Sequence, residues 1–390
     1  MTRIALFNAQ HDLALAHGRI NYVPTALVNR LLHDLQWLPL WYEPADCRVL
    51  AAEPPADALW RDQCGAVLGE GWQDRLVEPS RFAKELKQGE LYRIEPWGWD
   101  LSVRHRLALW GLPHDAMPAE EQLACWRELA HRRITRQLLE VMDEPVGAGT
   151  APQELTTLGE VERYVGAHGE CYVKAPWSGS GSGVFQVSQD NVADMATVIA
   201  GIIRRQGSVM CERALDKVLD FAIELEIKAG KVTLTGYSVF ATDAHHQFDG
   251  SLVMQHDALR AYLLEQCPRL DEVERRVMAA VGQCIAPHYE GVLGVDMMLY
   301  VDDGVRRVAP CVEVNLRHTM GMVAAALGER VLAPGRVGRF KTEYAPQGIV
   351  RKGAEAQIAA GRLEGGRLYL TPMMEGVTKF AAVLEVEETS

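Results

Sequence analysis

The 390-residue chain has eight cysteines and no CxxC pair. Cys47, Cys64, Cys125, Cys171, Cys211, Cys267, Cys284 and Cys311 are scattered, several of them inside apolar stretches. That spacing excludes a structural zinc ribbon and a disulfide scaffold, and fits a reduced, cytoplasmic protein. A basic excess is lacking too. The formal net charge is −12, and a nucleic-acid partner would need clustered Lys and Arg. No apolar run reaches membrane-span length, and the opening MTRIALFNAQ has no signal-peptide layout, so no membrane association is expected. GxSxG is missing, and no cysteine sits in a recognisable nucleophile setting, which argues against a covalent protein nucleophile. The GxGxxG and P-loop phosphate motifs are absent as well.

What is present is ordinary in bulk: 48% hydrophobic, 24% charged, and long enough for two or three domains. Arg3 to Phe7 reads as a strand that enters the polar loop Asn8 to Asp12, followed by a helix over 24–36. Strand, loop and helix in that order open an α/β domain, whose strand-end loops bind ligands. Val49-Leu50 and Ala66-Val67-Leu68 read as further short strands. His11-Asp12 is a candidate substrate contact, with a core-satisfied histidine or a helix cap as the alternative. Trp97, Gly98 and Trp99 are candidates for a pocket wall. Helices are expected over 102–110, 119–142, 153–167, 191–205 and 271–288. A Pro/Gly break falls at 143–150, paired strands at 220–228 and 231–240, and β-like segments at 344–350 and 367–370.

Residues 171–184, CYVKAPWSGSGSGV, carry the first chemical signal. A strand delivers Lys174 into a loop of Ser178, Gly179, Ser180, Gly181, Ser182 and Gly183, and a second strand follows at once. Glycines let backbone N–H groups close on an anion, and the lysine adds a mobile charge. A strand on both sides describes a flap over phosphate rather than a helix-capped cradle. The plain alternative is a flexible hairpin without a ligand.

The second signal is GVLGVDMMLYVDDGVRRVAPCVEVNLRHTMG, residues 291–321. With Asp303-Gly304 as a two-residue turn, Asp302 pairs with Val305. That register sets Asp296 opposite Cys311, with Glu313 diagonal to Asp296 and Asn315 on the same face, while Val295, Val312 and Val314 point to a core. Three oxygen donors on one face suit Mg²⁺. Pro310 cannot donate to the ladder and weakens the register. Against the metal stands a solvated edge-strand carboxylate.

Taken in order, these segments over about residues 120–330 resemble the ATP-grasp superfamily. The resemblance implies an N-terminal Rossmann-like α/β domain (1–118), an ATP-grasp fold of two α+β subdomains (119–335) and a β-rich C-terminal extension (336–390). It implies ATP and Mg²⁺, with Lys174 on the phosphates, the glycine flap above them, and metal on Asp296, Glu313 and Asn315. VMCERALDKVLDF (209–221) resembles the hinge between subdomains, where Glu212 and Leu215 would meet adenine and Asp220 the ribose, with Glu224 as the fallback. An early family lysine is replaced by arginine. Arg133 is the expected phosphate contact, and Arg132 and Arg136 are the alternatives. Arg317 completes ExNxR and would clamp a phosphoryl group or a carboxylate, with Thr319 and Gly321 as an anion-binding turn beside it. The implied activity is an ADP-forming ligase that activates a small-molecule carboxylate and joins it to an amine. The alternatives are an ATP-grasp kinase, or a nucleotide binder that has lost ligase chemistry. A homodimer is left open by the resemblance.

Overall fold

The computed structural model describes residues 1–142, 151–179, 181, 183–243 and 248–386. Three sheets organise the chain. The first holds four parallel strands in the order β3-β2-β1-β4: β1 (Thr2–Leu6), β2 (Arg48–Leu50), β3 (Leu76–Val77) and β4 (Tyr92–Pro96). Helices pack on it, and two of them begin at an aspartate that takes orphaned backbone donors. Asp57 accepts from the Trp60 N–H, and Asp100 from those of Ser102 and Val103. Ala66 to Leu68, expected as a strand, is the last turn of helix Ala58–Leu68. Its Trp60 and Cys64, four residues apart, both face the core, a helical spacing that outweighs the short apolar run.

The second sheet has four antiparallel strands in the order β5-β8-β6-β7: β5 (Gln153–Leu155), β6 (Cys171–Lys174), β7 (Val184–Val187) and β8 (Val209–Arg213). β5 replaces the start of the helix expected over 153–167. The helix itself is Leu158–His168 and begins at a capping box in which Thr157 and Glu160 take each other's backbone N–H. The helix expected over 119–142 is two helices, Glu120–Leu129 and Arg133–Val141. Between them the Arg132 N–H donates to the Pro176 carbonyl at 3.1 Å, a tertiary bond in place of a helical one.

The third sheet has nine antiparallel strands in the order β13-β12-β9-β10-β11-β14-β17-β16-β15. They are β9 (Asp216–Lys228), β10 (Lys231–Thr242), β11 (Phe248–Val253), β12 (Gly291–Asp302), β13 (Val305–Asn315), β14 (Gly338–Tyr344), β15 (Gln357–Ala359), β16 (Arg362–Tyr369) and β17 (Phe380–Val386). Alternation divides its faces. Phe221, Ile223, Leu225, Leu293 and Val295 enter a core under helix Leu270–Cys284, while Asp220, Glu224, Asp296 and Met298 face a cavity. The C-terminal strands continue this same sheet through β11 and β14, and share a core with Trp37, Trp41 and Trp60 of the N-terminal residues. Among the described residues no helix is long and apolar enough to cross a membrane.

Candidate active site

A cavity of ≈ 330 Å³ opens where the three sheets meet. Ala214 and Leu215 alone connect β8 of the second sheet to β9 of the third, and Leu215 lines the cavity beside Asp220. This two-residue crossing lies where the sequence suggested a hinge.

One wall comes from the second sheet. Lys174, at the end of β6, is buried and ion-paired with Glu212 on the adjacent β8. The Ala175 N–H donates to the Gly183 carbonyl at 2.7 Å, which closes the base of the glycine loop. Gly181 and Gly183 have φ of 73° and 84°, a region only glycine enters without strain. Ser180 and Ser182 lie outside the described residues. Gly179 abuts helix His11–His17 so closely that a Cβ would fall 2.4 Å from Asp12 Oδ2.

Of the three arginines, Arg132 is the one that lines the cavity. Its Nη1 lies 2.7 Å from Glu313 Oε2, its Nη2 donates to Ser178 Oγ at 3.1 Å, and its Nε donates to the Ala175 carbonyl at 3.0 Å. Arg133, the expected contact, turns outward to Glu154, and Arg136 pairs with Glu140 on the surface. The break between the two helices is the reason. It swings Arg132 inward and leaves its neighbour to begin a new, outward-facing turn.

The opposite wall is the β12–β13 hairpin. Its turn is as expected, with Asp303 and Gly304 at φ of 50° and 76° and Asp302 paired with Val305. The register beyond it is not. Met298 pairs with Ala309, but Asp296 pairs with Glu313 and Gly294 with Asn315. Two extra residues of β13 are taken up around Pro310, where the ladder lacks a donor. Asp296 therefore sits directly opposite Glu313 rather than Cys311, and Val312 lines the cavity instead of the core. A slip of two keeps every other residue on its face, so Asp296, Glu313 and Asn315 still converge.

Asn315 Nδ2 donates to Asp296 Oδ2 at 3.1 Å. Burial, then the adjacent Glu313 and Glu224, push the Asp296 carboxyl well above the usual carboxylate range. Among the described residues no three His, Cys, Asp or Glu side chains form a ready cage. The donors here are two facing carboxylates, partly exposed to the cavity, and an amide whose oxygen Arg317 holds, all hard. They fit a divalent cation that keeps positions for water or phosphate, because a cation would relieve the repulsion between the facing Asp296 and Glu313 carboxylates.

Arg317 is fully engaged with the protein. Its Nε and Nη2 reach Asp12 at 2.8–3.0 Å, Nη2 also donates to Asn315 Oδ1 at 2.8 Å, and Nη1 donates to the His318 carbonyl at 2.9 Å. Burial would raise the Asp12 carboxyl, yet Arg317 holds it below its ordinary value. The turn of Thr319 and Gly321, expected to bind an anion, packs on the Glu224 carboxyl. The Thr319 and Ser238 hydroxyls each donate to the Glu224 carboxylate at 2.9 Å, and a Cβ on Gly321 would lie 2.0 Å from its Oε1. Burial pushes the Glu224 carboxyl up to about 7 despite both hydrogen bonds. Glu224 thus sits on the Arg317 side of the cavity, whereas Asp220, paired with Lys217 at 2.7 Å, stays near the hinge.

Trp97 lines the cavity, while Trp99 packs into the N-terminal core. His11 lies beneath Gly98 with Nδ1 3.4 Å from Asp100 Oδ2, so only Asp12 of the His11-Asp12 pair faces the cavity. Met298, Ser238 and Ser251 also line it and were not anticipated. Alternation from Asp296 could have flagged Met298, but isolated serines within strands give no sequence signal.

No protein-family model and no curated protein sequence matches the chain. Solved structures do. The biotin carboxylase domain of Hydrogenobacter thermophilus 2-oxoglutarate carboxylase aligns with a TM-score of 0.57 at 12% identity, over 99% of this chain and 86% of that one. Campylobacter jejuni biotin carboxylase aligns with a TM-score of 0.56 at 12% identity, over 99% and 87%. Staphylococcus aureus N5-carboxyaminoimidazole synthetase aligns with a TM-score of 0.50 at 8% identity, over 100% and 94%. With an N-terminal parallel sheet, a small antiparallel sheet and a large one meeting at the cavity, the chain has the ATP-grasp fold.

Proposed function

We propose that the protein is an ATP-dependent, ADP-forming ligase that activates a small-molecule carboxylate as an acylphosphate and joins it to an amine. The observation that carries this reading is the Asp296–Glu313 pair with Asn315, lining one cavity with Lys174 and with Arg132, which bridges to Glu313. Carboxylates and cations around one cavity are what a metal-bound triphosphate needs. Solved neighbours of the same fold hold MgADP with bicarbonate, or an ATP analogue.

In this reading Glu212 and Leu215 border the adenine, and Asp220 takes the ribose. Lys174 and Arg132 leave their carboxylate partners for the phosphates. Asp296, Glu313 and Asn315 hold Mg²⁺, which when bound neutralises charge on the phosphates. Gly179, Gly181 and Gly183 let the loop approach the phosphates, and its closure keeps water from the acylphosphate. Arg317 orients Asn315 and ties the metal strand to the N-terminal domain. The domain limits at residues 118 and 335, and a cytoplasmic location, belong to the same proposal.

The test is a calorimetric titration of ATP with and without Mg²⁺ on the wild type and Glu313→Gln. A supporting result is Mg²⁺-dependent binding that weakens in the variant, followed by hydroxamate formation when carboxylates are screened with hydroxylamine. Absence of ATP binding by folded wild type would overturn the nucleotide reading. ADP release with a single hydroxyl acceptor and no amine would make the enzyme a kinase.

A further inference from the structure

The nucleotide reading uses the hinge and metal faces of the cavity and leaves one end without a role. Asp12 and Trp97 from the N-terminal domain, Met320 from helix Met320–Arg330, and Phe248 and Ser251 of β11 bound that end. Two positive features reach it, and a carboxylate of the chain answers each. Asp12 covers the Arg317 guanidinium at 2.8–3.0 Å. Glu224 sits against the N-terminus of helix Met320–Arg330, bonded to its capping residue Thr319 at 2.9 Å and touching Gly321. An incoming acid group would meet two carboxylates here rather than an open cation. Ser251 adds an independent sign of a ligand. It is 1% exposed, it lines the cavity, and its Oγ has no hydrogen-bond partner. A buried hydroxyl without a partner costs stability, so its place in a cavity wall calls for a ligand that supplies one. Phe248, Trp97 and Met320 make the surrounding surface apolar.

We infer that this end is the acceptor subsite of the proposed ligase. Its ligand is an amine on an apolar or aromatic body, with a neutral polar group for Ser251 Oγ and no phosphate or acid group of its own. Asp12 faces the cavity with a carboxylate that can accept a hydrogen bond from the amine N–H. The inference rests on the ligase reading for its chemistry. The neutral amine nitrogen attacks the acyl carbon, the C–N bond forms, and the C–O bond to phosphate breaks. Phosphate leaves with the electron pair, and the surplus proton of the amine passes to solvent.

The test compares three probes by calorimetry, with and without saturating MgADP: phenylalaninamide, phenylalanine and O-phosphoethanolamine. Phenylalaninamide is expected to bind at least ~10-fold more tightly than either acid-bearing probe. Ser251→Ala should weaken phenylalaninamide by about 3–10-fold while Tm stays level or rises and MgADP binding holds, a combination that a purely structural serine would not give. Asp12→Asn should narrow or reverse the preference for the amide over phenylalanine by uncovering Arg317. If wild type binds phenylalanine or phosphoethanolamine at least as tightly as the amide, the subsite assignment is wrong. The same holds if MgADP binds and no amine does, and the nucleotide reading then survives. Amide binding without MgADP binding would keep the subsite and remove the ligase.

Discussion

The cavity walls contributed by the second and third sheets hold their charged groups differently. On the second-sheet side Lys174 is paired with Glu212, and Arg132, from the adjoining helix start, holds Glu313 and Ser178. Those cations have partners. On the third-sheet side Asp296 faces Glu313 with Glu224 nearby, and the Asp296 carboxyl is pushed well up as a result. The first wall is satisfied without a ligand, and the second carries a conflict that a cation would relieve. Conflict of this kind, kept in a folded protein, marks where function opposes stability.

Opposite responses to substitution would sharpen this contrast. Asp296→Asn removes one of two facing acids, so unfolding without ligand should occur at a higher temperature than in wild type. The same change should abolish Mg²⁺-dependent binding and cut turnover by roughly 100-fold or more, beyond the ~10–100-fold typical of groups that only support a metal ligand. A variant that binds MgATP normally would break the comparison. Wild-type Mg²⁺ affinity should also fall as pH is lowered, because the metal competes with a proton on the raised Asp296.

Lys174→Met acts on the satisfied wall and should do the reverse. It leaves Glu212 without its partner, so ligand-free stability drops, and nucleotide affinity falls about 10–100-fold while its Mg²⁺ dependence persists. Calorimetry beside thermal melts reads both effects. Next in size is the neighbouring arginine pair. Arg132→Ala strips three polar contacts from a buried guanidinium and should cost about 2–3 kcal/mol. Arg133→Ala removes an exposed pair and should cost at most ~1 kcal/mol. Equal losses would mean that the inward turn of Arg132 has no consequence.

The arginines also show how far the sequence could be read. Lys174, the glycine loop and the Asp-Gly hairpin were legible because each depends on local rules: strand polarity, glycine φ and turn chemistry. Arg132 was not separable from Arg133, since the choice depends on a backbone bond to Pro176 more than forty residues away. The β13 register failed at Pro310 for a related reason. A proline shows where a ladder loses a donor but not how many residues the strand then takes up. The face assignment survived because that number was two. Glu224 was read as a possible ribose contact. Only the packing of Ser238, Thr319 and Gly321 around it reveals a sealed carboxyl on the other side of the cavity.

Glu224 also gives the smallest and most exacting test, because it belongs to the conflicted wall yet has two hydrogen bonds. Its carboxyl is raised to about 7, so between the unfolded value near 4.5 and that point the folded state holds a proton the unfolded chain has lost. Stability from this group is therefore full below about pH 4.5 and declines as pH rises through about 7. The shift corresponds to a few kcal/mol, since each unit is worth about 1.4 kcal/mol. Glu224→Gln has no proton to lose. Thermal melts of both proteins from pH 5 to 8 should show the variant gaining on wild type by a few degrees as pH rises, whatever constant offset the substitution brings. A difference that stays flat with pH would mean the two hydroxyls are enough to keep Glu224 ionised, and the conflict would then reside in Asp296 and Glu313 alone.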